Sequence, residues 1–123
     1  MNIILDTHIF LWVLSQPEKL DKIYIDHIQN NANTIYISSI SVAEIAIKSS
    51  IGKLAFDFDA IEIISESGFE TLDFTVDDAV VLCNLPFYHR DPFDSMLIAQ
   101  SLSNSYFIIS DDEKFKLYDC RLL

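Results

Sequence analysis

Asn2-Ile3-Ile4-Leu5-Asp6 is a short apolar run that closes on an acid, and Thr7 opens a stretch of helical period directly behind it. An apolar run this short, with isoleucine repeated, reads as a strand buried on both faces. The pattern recurs along the chain. Thr7 to Leu14 and Glu18 to Asn30 read as two helices broken at Ser15-Gln16-Pro17, and Thr34 to Ser38, β-branched and aromatic, reads as a second strand. Helices follow from Ser41 to Ile51, stopped at Gly52, and from Asp57 to Ser67, stopped at Gly68. Phe69 to Phe74 is a third strand and Thr75 to Cys83 a helix ending before Pro86. After the Pro92 turn come a helix from Asp94 to Ser103, a fourth strand from Tyr106 to Ile109, a short helix from Asp111 to Leu117 and a fifth strand from Cys120 to Leu123. Strands separated by helices imply right-handed crossovers, so the expected fold is α/β: one domain over residues 1–123, with a central parallel sheet of four to five strands covered by helices on both faces.

Composition agrees with one such domain. At 123 residues, 50% of them hydrophobic, the chain should bury roughly two thirds of its unfolded surface and needs no covalent staple. Cys83 and Cys120 are too few for a disulfide framework and read as small buried hydrophobes in a reducing cytoplasm. The apolar opening from Ile3 to Leu14 lacks the basic start of a signal peptide, and no run is long enough to span a membrane. The net charge of −11 repels phosphate backbones, so a nucleic-acid substrate would need local help.

In parallel sheets ligands bind beyond the carboxyl ends of the strands, where strand order reverses. Asp6 closes the first strand and Asp112 follows the fourth, while Glu44 and Asp94 reach that edge from helices. Asp94 shares a helix face with Leu97 and Ile98, and Glu44 lies on the stripe of Ile40, Ile47 and Ile51, so both carboxylates are expected to be partly buried. Each acid also has an ordinary reading. Ser41-Val42-Ala43-Glu44 fits a capping box, Lys48 is spaced to pair with Glu44, Asp6 and Asp94 suit helix starts, and Ser110-Asp111-Asp112-Glu113 places acids at the positive end of a helix dipole. Two carboxylates about 4 Å apart repel by about 4 kcal/mol at an effective dielectric of 20. A merely structural site has no reason to carry that cost, and converging carboxylates imply a divalent metal.

These residues carry a family resemblance. Over nearly its whole length the chain resembles a PIN-domain ribonuclease of the VapC toxin type. The likeness rests on Leu5-Asp6-Thr7-His8; on Glu44-Ile45-Ala46-Ile47-Lys48 with Gly52-Lys53-Leu54; on Leu85-Pro86, His89 and Asp91-Pro92-Phe93-Asp94 leading into Met96-Leu97-Ile98-Ala99-Gln100; and on Ser110-Asp111-Asp112 with Phe115. It implies that Asp6, Glu44, Asp94 and Asp112 are catalytic and hold Mg²⁺ or Mn²⁺ for cleavage of an RNA phosphodiester. It further implies a cytoplasmic toxin with a cognate antitoxin protein, and a homodimer for which the helix of Trp12 offers a contact. The hydroxyls of Thr7 and Ser110 stand beside two of the acids and either orient them or cap helices. The chain departs from the family pattern at Ser95, where arginine is common, at Ser110, where threonine is usual, and at Ala43, often tryptophan. None of these departures replaces one of the four acids.

Substrate grip is expected from Phe87-Tyr88-His89-Arg90, with Tyr88 and Arg90 as the contacts, Phe87 as core and Asp91 as either a helix cap or a supporting acid. His8 and His27 lack partners at metal-ligand spacing. Two alternatives stay open. A receiver-like Mg²⁺-binding signalling domain would want an acidic pair after the first strand, a phosphoacceptor aspartate after the third and a lysine after the fifth; the chain offers Asp6 alone, Asp73-Phe74, and no lysine after Cys120. The other is a PIN-like fold retained for binding without catalysis.

Overall fold

Successive side chains of a strand point to opposite faces, and the buried residues of the first strand separate accordingly. A computed structural model describes residues 1–52, 59–86, 88 and 90–123. Within it, β1 (Asn2–Leu5) sends Ile3 and Leu5 into one core and Ile4 into another. Lys53, Leu54, Phe87, His89 and the first residues of the helix expected from Asp57 lie outside the described residues.

The chain continues through α1 (Thr7–Ser15), a 3₁₀ turn (Pro17–Lys19), α2 (Lys22–Gln29), β2 (Thr34–Ser38), α3 (Ser39–Ser50), α4 (Ala60–Glu66), β3 (Glu70–Leu72) and α5 (Val76–Leu82). It closes with α6 (Pro92–Asn104), β4 (Phe107–Ile109), a second 3₁₀ turn (Glu113–Leu117) and β5 (Arg121–Leu122). Every strand pair is parallel, and the order is β3-β2-β1-β4-β5. The expected parallel sheet is therefore observed, with five strands. Gly52 and Gly68 both take φ 76° just past α3 and α4, a left-handed stop that glycine adopts without a Cβ penalty.

On one face of the sheet Ile3, Leu5, Ile35, Ile37 and Ile109 pack against Ile9 and Phe10 of α1, Ile45 of α3 and Ile64 of α4. On the other, Ile4 and Ile108 pack against Leu97 and Ile98 of α6, with Phe115 and Tyr118 sealing the end. Fully burying each such aliphatic side chain contributes about 1.5–3 kcal/mol, so the two cores fix the helices to the sheet. The order in which strands are laid down reverses between β1 and β4, which run parallel as neighbours in register from Ile3↔Phe107 to Leu5↔Ile109. The residues just past their carboxyl ends, Asp6 and Ser110, thus stand side by side.

Three expectations need correction. The single helix from Glu18 to Asn30 is instead a 3₁₀ turn and a shorter α2, because Leu20 is extended and buried against the first core. Cys83 is exposed and Cys120 only partly buried, since Cys83 caps the solvent end of α5. The 111–117 helix is a 3₁₀ turn beginning at Glu113. Among the described residues no helix is long and apolar enough to cross a membrane.

Candidate active site

Asp6 leaves β1 in extended conformation and caps α1, its Oδ1 accepting from the Ile9 amide at 2.8 Å. Its Oδ2 accepts from the Ser110 hydroxyl at 2.5 Å. Only 4% of the residue is exposed. Burial pushes its carboxyl up to about 6, against the pull of the Ser110 and Ile9 hydrogen bonds. It is a cap, as the ordinary reading had it, and also a buried acid at the sheet's switch point.

Glu44 is not a capping-box residue. Ser38 caps α3 by accepting from the Ile40 amide, so Ser41 and Glu44 fall inside the helix and are buried. Nor does Glu44 lie on an apolar stripe, for Ile47 and Ile51 are 48% and 59% exposed. The buried side of α3 is Ser41, Glu44 and Ile45. It turns inward because Thr7 receives it: Thr7 Oγ1 lies 2.7 Å from Glu44 Oε1 and 2.9 Å from Ser41 Oγ. A carboxylate only accepts and a hydroxyl has one proton, so Thr7 donates to Glu44 and Ser41 to Thr7. Glu44 Oε2 pairs with Lys48 Nζ at 2.5 Å, the helical pairing that the spacing predicts.

Asp94 sits in the first turn of α6, whose cap is Asp91; Asp91 Oδ1 accepts from the amides of Phe93 at 2.9 Å and Asp94 at 3.2 Å. Asp94 is half-buried, and its carboxyl is pushed up to about 8, first by burial and then by the charges of Asp91, Asp6, Glu44 and Asp112. Asp112 is exposed and caps the last 3₁₀ turn through the Lys114 amide at 2.9 Å, while its own amide donates to Ser110 Oγ at 3.1 Å. Ser110 therefore bridges two of the acids, and Thr7 and Ser110 position carboxylates rather than cap helices.

The four acids line one cavity of about 300 Å³ together with Asp91 and Asp111, with Thr7, His8, Trp12 and Lys48 on its walls. Arg90 and Tyr88 are not brought there. Arg90 lines a separate, mainly apolar cavity with Leu82, Leu85, Pro92, Ser95 and Met96, and Tyr88 stands edge-on to Tyr118 at 5.1 Å. Sequence reasoning did not single out His8, Lys48 or Asp111 as cavity residues. For Lys48 the spacing of four from Glu44 was the available signal.

The donor set of Asp6, Glu44, Asp94 and Asp112 is all carboxylate oxygen, which suits hard divalent cations such as Mg²⁺ or Mn²⁺ and not soft ones. Among the described residues no three or more His, Cys, Asp and Glu side chains are drawn together as a ready-made metal-binding group. Oxygens of Asp6, Glu44 and Asp112 already accept hydrogen bonds or an ion pair that fix their side chains, and each carboxylate keeps further lone pairs for a cation.

The crowding has a pH signature. Asp6 and Asp94 both have folded-state pKa values above the ordinary carboxylate value, so the folded protein holds protons that the unfolded chain has released. Their contribution to stability is fully present below pH about 4 and is lost as pH rises through about 6 for Asp6 and about 8 for Asp94. Metal-free protein should melt at a lower temperature at pH about 8.5 than at about 5.5, and Asp94→Asn should flatten that slope. An identical slope in parent and variant, followed by thermal unfolding in chelator, would contradict it.

Comparison with known proteins adds the family. A family model described as PIN domain matches residues 3–119. A search of curated proteins finds no match. Among solved structures, the fold is similar to VapBC2 from Rickettsia felis bound to a promoter DNA fragment, with a TM-score of 0.71 and 19% identity over 100% of this chain and 98% of that one. It is also similar to DNA-bound VapBC from Salmonella typhimurium (TM-score 0.73, 17% identity, 100% and 97% covered) and to FitAcB from Neisseria gonorrhoeae (0.63, 19%, 98% and 96%). At these identities the likeness is one of fold.

Proposed function

This chain belongs to the PIN domain family, and from that premise we propose that it is a Mg²⁺- or Mn²⁺-dependent endoribonuclease acting as the VapC-type toxin of a toxin–antitoxin pair, with residues 1–123 as its one domain. The observation that carries this reading is the convergence of Asp6, Glu44, Asp94 and Asp112 on one cavity at the sheet's switch point. They arrive from the end of β1, from α3, from α6 and from the turn after β4. Such a meeting has no structural purpose that caps alone would not serve.

In this proposal those acids hold the cation, and Thr7 and Ser110 keep Glu44 and Asp6 from turning away. The chemistry supplied by a bound ion is orientation of a phosphate, a lowered pKa for water and stabilisation of charge on the leaving oxygen. Asp91 holds the first turn of α6, and through it the backbone that carries Asp94. Cleavage of a defined RNA with and without Mn²⁺ tests the whole reading. The receiver-like alternative fares poorly against the topology: β3, which ends before Asp73, is an edge strand separated from β1 by β2, so an acid there cannot complete a site around Asp6.

The partner proposals follow from chemistry. The similar structures named VapBC and FitAcB are complexes, which supports a cognate antitoxin here. An acidic cavity invites a flexible antitoxin segment with apolar anchors and an arginine or lysine set among the carboxylates. A homodimer through the early helices is also proposed; Trp12 lines the cavity and is half-buried, whereas Ile23 on α2 is exposed and available. Co-expression with the adjacent small reading frame should yield a stable complex that Mn²⁺ loosens in titration. No complex, or one indifferent both to Mn²⁺ and to Asp6→Asn, would contradict this mode of inhibition.

A further inference from the structure

Lys48 is the one lysine or arginine lining the acidic cavity among the described residues. It leaves α3 one turn after Glu44, and the two halves of the pair are held very differently. The Glu44 side chain is 5% exposed and anchored through Oε1 by Thr7, itself beside Ser41. The Lys48 side chain is 40% exposed on a flexible four-carbon stem. Lys48 reaches water while Glu44 does not, so the ammonium can leave Glu44 once another cation takes over the neutralisation of that buried carboxylate. The charges of Asp91 and Asp94 also act on it, so Lys48 already feels the acids across the cavity.

Two requirements meet at this residue. Glu44 Oε2, the oxygen that Thr7 does not hold, carries the Lys48 ammonium, whose charge would compete with a bound cation, and the cavity as a whole, in a chain of net charge −11, offers an approaching phosphate almost no positive charge. Resting on the metal-dependent ribonuclease reading, we propose that Lys48 has two stations. It neutralises Glu44 in the metal-free protein, and in the loaded protein it releases Glu44 and turns into the cavity to hold the RNA phosphate. Lysine suits both stations because it is a compact, rotatable point charge, where an arginine fork would lock onto one carboxylate.

The two stations predict opposite effects of one substitution. Lys48→Met keeps the stem and removes the charge; it should fold, checked by circular dichroism, but melt somewhat lower without metal, because the 5% exposed Glu44 carboxylate loses its cation, and Mn²⁺ should restore the difference. Removing a competing cation should tighten Mn²⁺ binding, read by calorimetry without RNA, by about 3- to 10-fold. Cleavage of a defined RNA at saturating Mn²⁺ should nevertheless fall by about 10²-fold in kcat/KM, as for loss of a phosphate-stabilising charge, with Lys48→Arg recovering part of it. Mn²⁺ binding that is unchanged or weaker in Lys48→Met, or full cleavage at saturating Mn²⁺, would overturn the proposal. Failure of the parent itself to bind Mn²⁺ or cut RNA would instead overturn the ribonuclease reading beneath it.

Discussion

Asp6→Asn and Asp94→Asn should each lower RNA cleavage in saturating Mn²⁺ by at least roughly a thousandfold, about 4 kcal/mol of barrier, while the protein stays folded. The amide keeps the shape of the side chain and one oxygen but removes the charge. At Asp6 the cap survives, since an amide oxygen still accepts from the Ile9 amide. The cap of α6 is Asp91, so the start of the helix keeps its capping oxygen when Asp94 is substituted. Asp112→Asn should cost less, because Asp112 is exposed and water can replace much of what it provides. Equal cleavage by parent and both buried-site variants, measured with matched circular dichroism, would remove these acids from the mechanism.

A second large effect should appear in stability. Mn²⁺ at about 100 times its Kd should stabilise the parent by about 2.7 kcal/mol through mass action, which for a domain of this size is roughly ten degrees in Tm. Without metal, Asp94→Asn should match or exceed the parent, since it removes the carboxyl most opposed by its neighbours' charges. With metal it should lose most of the gain. Differential scanning calorimetry in chelator and in Mn²⁺ checks both halves: a clear fall in Tm for metal-free Asp94→Asn, with no response of the parent to Mn²⁺, would mean that Asp94 serves the fold alone.

The fold was legible because the strands are short, apolar and bounded. Thr34 to Ser38 is found as read, and Asp6 marks the end of β1 because an acid cannot continue a doubly buried strand. The start of α3 was not legible. Ser38, Ser39 and Ser41 all stand near it, and the choice of Ser38 as cap is tied to a tertiary contact, its hydroxyl meeting Gln100 Oε1 at 2.5 Å from a helix 62 residues away. The same shift hid the environment of Glu44. Sequence periodicity assumes that the apolar side of a helix faces inward, whereas α3 buries a polar stripe against Thr7 and leaves Ile47 and Ile51 in solvent. The four acids were legible as residues that follow strands or open helices, and their shared cavity needed the strand order, which no local pattern encodes. Adjacency to Asp91 along the chain did not show that Arg90 lines a separate cavity beside Pro92, Ser95 and Met96, or that Tyr88 packs edge-on to Tyr118.

Whether the carboxylate cavity is a divalent-metal site that cuts RNA is decided by one incubation: a defined single-stranded RNA with purified protein in Mn²⁺, in Mg²⁺ and in excess chelator, alongside Asp94→Asn. The parent should cleave the RNA internally with a divalent ion and not in chelator, and the variant should not cleave it at all. Cleavage that persists in chelator or survives in Asp94→Asn would contradict it.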